Sequence, residues 1–311
     1  MSTFHSNSTV CFLGDSITAD GHWIRRIYSH YRQEGIPCKL FNCGVPGDAA
    51  DRAYWRLEET VFCHQPSEVV IALGMNDIDC LLYRDEPLTE AGVMTRRRML
   101  DNSIAYLRAI ADQCIARGIR VTFCTPTLID ELTENDTPPY PGAAAALLEL
   151  SLRIRALGKE LGAPVIDFSR PFRDMGLQLY KEGKTMINDD RIHPIPEGHE
   201  YMARLFLKAQ GFDVTVPATW EELETLAAVP YDQWEEKRYQ LEQAAGTNLF
   251  VEWYFGFGKK SRETMEIIVA DLLKTEERPF VRQKLEDYWD NYDKIPQYRQ
   301  ALIDHTNTIA L

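Results

Sequence analysis

Five short apolar segments alternate with longer helical patterns in the first part of the chain, and this alternation constrains the fold more than any other feature. The predicted strands are Thr9–Leu13, Cys38–Asn42, Glu68–Leu73, Arg120–Cys124 and Pro164–Asp167. Strands that alternate with helices pair in parallel, because each crossover helix returns the chain to the same edge of the sheet. We therefore predict an α/β fold of three layers, with a central parallel sheet covered by helices on both faces.

The connections between these strands carry apolar residues three and four positions apart, the spacing of an amphipathic helix. The predicted helices are Trp23–Gln33, Asp51–Cys63, Arg97–Ala116, Ala143–Leu161 and Pro196–Ala209. Ligands of such folds bind beyond the carboxyl ends of the strands. The functional residues are therefore expected in the segments that directly follow the strands.

The character of the chain changes after Gly211, where strand-like segments stop. Its 311 residues exceed the length at which a single core usually stops growing. Helices are predicted at Trp220–Ala228, Tyr231–Ala245, Ser261–Lys274, Pro279–Asn291 and Ile295–Ile303. We therefore predict an α/β domain over residues 1–211 and an all-helical C-terminal extension over residues 212–311.

The most aromatic stretch of this extension runs from Asn248 to Gly258. Aromatic stretches most often serve burial, so packing in a core or against the first domain is the favoured interpretation. A contact between subunits is the alternative. In that case the protein is a homo-oligomer joined through its helical C-terminal region.

The charge of the chain argues against two classes of partner. The formal net charge is -13, and the short run Arg96–Arg98 is the one basic cluster. Nucleic acids and anionic membranes both demand a basic face. We therefore expect neither as a partner.

The predicted compartment is the cytoplasm. The first residues lack the basic and apolar regions of a signal peptide, and no run of about 18 apolar residues follows. Seven irregularly spaced cysteines fit reduced thiols better than a disulfide framework. No Cys-x-x-Cys pair is present, so no structural metal site is expected.

Ser16 stands where the first predicted strand ends, in the segment Gly14–Thr18. A strand-to-helix turn at this point exposes the hydroxyl and aims the next backbone N–H groups outward. A serine hydroxyl is a weak nucleophile unless a base lies within hydrogen-bond reach and donors stabilise the charge of the tetrahedral intermediate. Taken alone, this serine also fits a helix N-cap. The rest of the sequence must decide between the two roles.

An acid and a histidine three residues apart, Asp190 and His193, follow the last predicted strand. On a loop, this spacing lets the carboxylate bond Nδ1 of the histidine and fix the tautomer that accepts a proton at Nε2. Asp189 is the alternative orienter. His199 fits a structural position in the next helix better than a substrate contact.

Gly47 and Asn76 follow the second and third predicted strands. A tight turn at a glycine can point its N–H inward, and an asparagine amide supplies a second donor. Both residues also suit ordinary turns, and the two roles are compatible. They are candidate donors to an oxyanion.

Taken together, the segments Gly14–Thr18, Asn42–Asp48, Gly74–Asp77 and Asp190–His193 resemble the four blocks of the SGNH hydrolases, a subgroup of the GDSL esterases and lipases. The resemblance spans nearly all of residues 8–210 and leaves the C-terminal extension out. It implies a flavodoxin-like fold and an acyl-enzyme mechanism that needs no metal or other cofactor.

Carried over residue by residue, the resemblance makes Ser16 the nucleophile, His193 the base and Asp190 its orienter. The oxyanion hole is then formed by the Ser16 N–H, the Gly47 N–H and the side chain of Asn76. Three further residues are predicted to lie near the substrate, namely Asp15, Asp77 and Tyr140.

The sequence thus predicts a serine esterase that acts on a small-molecule ester. Short acyl groups, foremost acetyl, on a carbohydrate or small polar carrier are favoured, because no long apolar lid is evident. A lysophospholipase, a thioesterase and an acyltransferase of the same fold stay open as alternatives. A non-catalytic carbohydrate-binding protein is the remaining interpretation.

Overall fold

The structure is a computed structural model that describes residues 4, 7–84, 89–255 and 261–308, without the side chains of 246–250 and 252–254. The chain divides into two compact units, Met1–Pro230 and Tyr231–Leu311.

A five-stranded parallel sheet forms the centre of the first unit, in the order β2-β1-β3-β4-β5. The strands are β1 (Thr9–Gly14), β2 (Lys39–Gly44), β3 (Glu68–Ala72), β4 (Arg120–Cys124) and β5 (Val165–Ile166). All five predicted strands are confirmed, with small shifts at their ends. From β1 the chain first moves outward to β2 and then back across to β3, so the sheet has its switch point beside β1, where ligands of such folds bind.

The register brings the ends of three strands level with one another. Gly14 of β1 pairs with Gly44 of β2 on one side and with Ala72 of β3 on the other. The segments that follow these strands therefore emerge at one edge of the sheet.

Ten helices are described in the first unit. They are α1 (Ser16–Ala19), α2 (His22–Gln33), α3 (Ala50–Trp55), α4 (Leu57–Thr60), α5 (Leu81–Arg84), α6 (Glu90–Ala116), α7 (Ala143–Leu161), α8 (Ser169–Tyr180), α9 (Pro196–Ala209) and α10 (Trp220–Ala227). Trp23 of α2 is fully buried, and its ring contacts those of Phe12 and Phe206 at centroid distances of 5.2 and 5.8 Å. This aromatic cluster joins α2 and α9 to one face of the sheet and confirms the layered fold.

The single helix predicted over Asp51–Cys63 is wrong, because the structure divides it at Arg56. Arg56 has φ -106° and ψ 5°, outside the helical region, and separates α3 from α4. Its guanidinium is buried and pairs with the buried carboxylate of Asp48. This long-range pairing overrides the local helical periodicity.

Two helices differ from the sequence-based expectation for local reasons. α6 starts at Glu90 rather than near Arg97, because the side chain of Thr89 caps it by accepting the N–H of Gly92 at 3.1 Å. α8 was not predicted. Its apolar spacing is interrupted by Pro171, which the first turn of a helix tolerates.

The first unit continues past the predicted boundary at residue 211. Arg26 of α2 donates hydrogen bonds to the carbonyls of Ala227 and Val229, both at 2.6 Å. α10 also packs on α9. These contacts place the segment up to Pro230 with the sheet, and the all-helical unit starts at Tyr231.

The second unit consists of helices in the part of it that the structure describes. They are α11 (Gln233–Tyr254), α12 (Arg262–Thr275), α13 (Pro279–Asn291) and α14 (Ile295–Asn307). Arg238 is buried in this unit and bonds Glu235 at 2.8 Å and Glu242 at 2.9 Å. Most side chains of the aromatic stretch Asn248–Gly258 lie outside the described residues, so its predicted role stays a prediction. None of the helices in the described ranges is long and apolar enough to cross a membrane.

Candidate active site

Ser16 occupies a sharp turn between β1 and α1. A Cβ at Gly14 would lie 2.1 Å from Oγ1 of Thr18 and 2.8 Å from the carbonyl oxygen of Ala72, so only glycine fits. The next residue, Asp15, caps the helix by accepting the N–H of Ile17 at 3.0 Å. The turn therefore holds Ser16 at the first position of α1, at the carboxyl end of the sheet.

The structure brings Ser16, His193 and Asp190 into one hydrogen-bonded chain. His193 Nε2 lies 2.6 Å from Ser16 Oγ, and His193 Nδ1 lies 2.6 Å from Asp190 Oδ2. These are the distances at which a base can take the serine proton and a carboxylate can orient that base. Asp190, and not its neighbour Asp189, has its carboxylate on the histidine.

The second oxygen of Asp190 is also held in place. Oδ1 accepts the backbone N–H groups of Ile192 and His193, each at 2.9 Å. Partial burial raises the pKa of Asp190, but the bonds from His193 and the two N–H groups outweigh it and lower the pKa to about 2. The carboxylate is therefore ionised at neutral pH and fixed in orientation.

This carboxylate changes the basicity of its histidine. The hydrogen bond that His193 donates to Asp190 raises the pKa of His193 above its ordinary value, against the lowering effect of burial. His193 is consequently a stronger base than an isolated imidazole. The side chains of His193 and Asp190 are 40% and 47% exposed, so the pair opens to solvent.

Arg191, which lies between Asp190 and His193 in the chain, is a structural residue that the sequence did not predict. Its φ of 71° lies in the left-handed region, which is unfavourable for a residue with a Cβ. The side chain is 3% exposed and donates to the carbonyls of Thr137, Asp130 and Thr133 at 2.6, 3.0 and 2.9 Å. Three hydrogen bonds thus hold a strained residue in place. No local pattern signals this role, since its partners lie more than fifty positions away.

Gly47 lies in the loop that follows β2, and the side chain of Asn76 bonds to the same loop. Gly47 has φ 77°, and a Cβ there would meet nothing within 4 Å, so its backbone conformation is what favours glycine. Asn76 Nδ2 donates to the carbonyl of Asp48 at 2.9 Å. An amide nitrogen carries two hydrogens, so one stays available to a ligand. Within the described residues, the N–H of Gly47 has no acceptor.

Asp77 holds this loop from the other side. Its Oδ1 accepts the N–H of Ala50 at 3.0 Å, at the start of α3, although it comes from the segment after β3. Burial raises the pKa of Asp77 to about 6, against the opposing effect of the Ala50 hydrogen bond. Asn76 and Asp77 together fix the loop that carries Gly47.

A buried ion pair ties the Gly47 loop to β1. Arg56 bonds Asp48 at 2.7 Å and donates to the carbonyl of Gly14 at 3.2 Å. The side chains are 1% and 0% exposed. The signal in the sequence was Arg56 itself, a charged residue on the apolar face of the predicted helix, three residues after the buried Ala53.

A second histidine–aspartate pair lies near His193. His199 of α9 is 2% exposed, and its Nε2 lies 3.1 Å from Oδ2 of Asp20, which is 48% exposed. The negative charge of Asp20 also contributes to raising the pKa of His193. The buried position of His199 agrees with the structural role expected for it.

A cavity of about 410 Å³ opens beside Asn76 and Ile192. Its lining residues come from the loops after β2 and β3, from α3, α5 and α6, and from the loop of Asp190 and His193, namely Ala49, Asp51, Arg52, Met75, Asn76, Asp77, Asp79, Cys80, Leu81, Met99, Asn102, Ser103, Tyr106 and Ile192. Polar and apolar side chains both line it. The cavity thus provides a space of mixed polarity next to Asn76, one of the candidate oxyanion donors.

The three predicted substrate contacts occupy different positions. Asp77 lines this cavity, whereas Asp15 is 3% exposed and lines a void of about 20 Å³ together with Ile17 and Thr127. Burial raises the pKa of Asp15 to about 7. Tyr140 is 7% exposed, with the Arg84 guanidinium 5.6 Å from its ring centre. A direct role in substrate binding stays a prediction for all three.

Residues 12–201 match the GDSL-like lipase/acylhydrolase family, which is well over half of the chain. The chain belongs to this family, in the SGNH subgroup, and is a carboxylic ester hydrolase.

Individual relatives are distant in sequence. The chain is 23% identical over 227 residues to an acetylxylan esterase of Geobacillus stearothermophilus, a match that covers 67% of this chain and 96% of that protein. A crystal structure of an acetylxylan esterase from that organism superimposes with a TM-score of 0.56 at 21% identity, over 68% of this chain and 97% of that chain.

A further likeness extends over almost the whole chain. A solved structure of a gut microbial diltiazem-metabolizing enzyme superimposes with a TM-score of 0.83 at 18% identity. It covers 99% of this chain and 95% of that chain. The similarity of fold therefore includes the all-helical unit.

Proposed function

We propose that the protein is a serine esterase that removes short acyl groups, foremost acetyl, from a carbohydrate or small polar carrier. The observation that carries this proposal is the chain of two 2.6 Å contacts from Asp190 through His193 to Ser16. A base this close to a serine hydroxyl converts it into a competent nucleophile.

In the first half of the reaction, Ser16 Oγ attacks the carbonyl carbon of the ester while His193 Nε2 takes the hydroxyl proton. The carbonyl oxygen becomes an oxyanion, which the N–H groups of Ser16 and Gly47 and the amide of Asn76 stabilise. The bond to the alcohol then breaks, and His193 returns its proton to the leaving oxygen. An acyl group stays on Ser16.

In the second half, water attacks the acyl carbon and gives a proton to His193. The bond to Ser16 Oγ breaks, the serine regains its proton, and the carboxylic acid departs. Asp190 keeps the imidazole in the productive tautomer and stabilises the imidazolium that forms in both halves.

The substrate class rests on two observations. In the cavity beside Asn76, carboxylate, amide, hydroxyl and guanidinium groups lie among apolar side chains, a mixture that suits the hydroxyls and C–H faces of a sugar. The relative from Geobacillus stearothermophilus is an acetylxylan esterase. Together they support an acetylated sugar over a lysophospholipid.

Hydrolysis of p-nitrophenyl acetate and p-nitrophenyl decanoate tests the proposal, with Ser16→Ala and His193→Ala beside the native protein. Asp189→Asn is the matched control, since it alters the neighbouring carboxylate that does not contact the histidine. We expect acetate to be cleaved much faster than decanoate, both active-site variants to fall to background, and the control to keep its rate.

Two outcomes would contradict the proposal. An inactive native protein would favour a non-catalytic binding protein, and a Ser16→Ala variant with native activity would refute the assigned nucleophile. Product analysis with an added sugar alcohol separates a hydrolase from an acyltransferase, because an acyltransferase yields the new ester in place of free acetate.

A further inference from the structure

The cavity beside Asn76 continues along one face of α3. Asp51 and Arg52, in the first turn of this helix, line the cavity. Trp55 lies four positions after Asp51 and three after Arg52, and residues at these spacings share a helix face. Trp55 therefore lies on the same side of α3 as Asp51 and Arg52, at the end of the helix and outside the cavity lining itself.

α6 supplies the opposite wall. Four of its residues line the cavity and recur every three or four positions along one helix face, namely Met99, the adjacent pair Asn102 and Ser103, and Tyr106. α3 packs on α6. The two helices thus line one groove, the α3–α6 groove, which begins beside Asn76.

Three aromatic rings connect the cavity to solvent. The ring of Tyr106 lies 5.9 Å from that of Tyr54, which lies 5.2 Å from that of Trp55. Trp55 is 74% exposed, more than any other large apolar side chain among the described residues. The exposed indole is thus linked through the ring of Tyr54 to Tyr106, a residue of the cavity lining.

The combination of groups suits a sugar chain. A pyranose ring has faces of C–H groups that stack on an aromatic ring, and a rim of hydroxyls that bond carboxylates, amides and guanidinium groups. The groove offers Trp55 and Tyr106 for the faces, and Asp51, Arg52 and Asn102 for the hydroxyls. A protein partner covering Trp55 would instead have to bury the charged lining beside it, which is costly.

We propose that the α3–α6 groove is an oligosaccharide subsite, with Trp55 as its outer stacking platform. This inference deepens the proposed function, since it places the acetylated sugar at Ser16 and the neighbouring sugar units along the groove. The enzyme would then prefer acetylated oligosaccharides over acetylated monosaccharides.

Binding without turnover tests the subsite independently of catalysis. Xylotriose, which carries no acetyl group, is titrated into the Ser16→Ala protein by isothermal calorimetry, and then into Ser16→Ala/Trp55→Ala and Ser16→Ala/Trp55→Phe. Ser16→Ala/Leu152→Ala is the control, because Leu152 is a 56% exposed apolar residue on α7 that does not line the groove.

We expect the Trp55→Ala variant to lose affinity by about tenfold or more, the range typical of an exposed aromatic anchor. Trp55→Phe should lose less, and the Leu152 control should bind like its parent. In the active enzyme, Trp55→Ala should raise KM for acetylated xylotriose more than it raises KM for p-nitrophenyl acetate. Thermal unfolding of each variant checks that it is folded.

Equal affinity of the Trp55→Ala and control proteins would overturn the subsite, and so would the absence of xylotriose binding. A change of oligomeric state on Trp55→Ala, with sugar binding unaltered, would make the indole a subunit contact and also refute the proposal. Trp55-dependent binding by a protein that cleaves no ester would instead leave the subsite standing and refute the esterase.

Discussion

Arg191 donates a 2.6 Å hydrogen bond from Nε to the backbone carbonyl of Thr137. This bond joins the loop that carries Asp190 and His193 to the loop that follows β4. Arg191 is itself held at a φ of 71°, so its side chain stabilises the backbone conformation between Asp190 and His193, whose side chains lie 2.6 Å apart.

Replacement of Arg191 separates the effect of the side chain from that of the backbone. Arg191→Gly keeps the left-handed conformation without strain but removes all three side-chain bonds. We expect kcat to fall by about tenfold, and the acid limb of the pH–rate profile to move to lower pH as Asp190 loses its alignment with His193. Arg191→Ala should be worse, since it adds backbone strain of roughly 1–2 kcal/mol. Kinetics of both variants measure the effect.

Arg97→Ala is the control for these variants, because Arg97 is an exposed arginine on α6. A purely structural role for Arg191 would lower the melting temperature and leave the acid limb of Arg191→Gly in its native position.

The Asp190 carboxylate determines the pH range of activity. The pKa of His193 is raised, and the base must be neutral to accept the proton, so activity should rise with pH through a value above the ordinary 6.5 of histidine. Asp190→Asn should lower kcat/KM by roughly 10³-fold and shift the limb to lower pH. A pH–rate profile from 5 to 9 measures both, and an acid limb unchanged in this variant would contradict the assignment.

Asp77 should destabilise the folded state increasingly as pH rises. Its folded pKa of about 6 lies above the ordinary 3.8, so the unfolded chain releases its proton first, and stability falls between these two values. Asp77→Asn can still accept the N–H of Ala50 and carries no charge. Its urea midpoint should exceed that of the native protein by more at pH 8 than at pH 4. A difference independent of pH would show that ionisation of Asp77 does not matter.

Removing one partner of the buried pair Arg56 and Asp48 should lower the free energy of unfolding strongly. Arg56→Ala leaves a carboxylate that is fully buried, and we expect a loss of about 3–5 kcal/mol in unfolding free energy. Arg153→Ala is a control on the surface, where Arg153 pairs with Asp101, and should cost about 1 kcal/mol or less. Equal losses in urea unfolding would contradict the difference in burial.

The sheet could be predicted from sequence, and so could the hydrogen-bonded series Asp190–His193–Ser16, because their signals are local. Apolar runs mark the strands, and an acid three residues before a histidine places both on one loop. The break of the helix at Arg56 depends instead on Asp48, a partner from the previous loop. The limit of the first unit at Pro230 likewise depends on Arg26, some two hundred positions earlier. Contacts of this kind leave no periodic trace.

The α3–α6 groove could not be predicted from sequence either, because it too depends on contacts between distant residues. Trp55 and Tyr106 lie on helices that become neighbours only when the sheet has folded, and each residue alone is an ordinary aromatic in a helical pattern. The contact at Asp15 is predicted from its place beside Ser16, and that at Tyr140 from the loop after β4 at the carboxyl edge of the sheet. The side chains of both are largely buried, which neither signal foretells.

Covalent labelling of Ser16 tests the central claim most directly. The native protein is treated with a fluorophosphonate, which reacts with activated serines, and the modified residue is located by mass spectrometry of its peptides. We predict one adduct per chain, on Ser16, that is absent from Ser16→Ala and forms much more slowly in His193→Ala. An unlabelled native protein, or an adduct on another residue with Ser16 unmodified, would contradict the account.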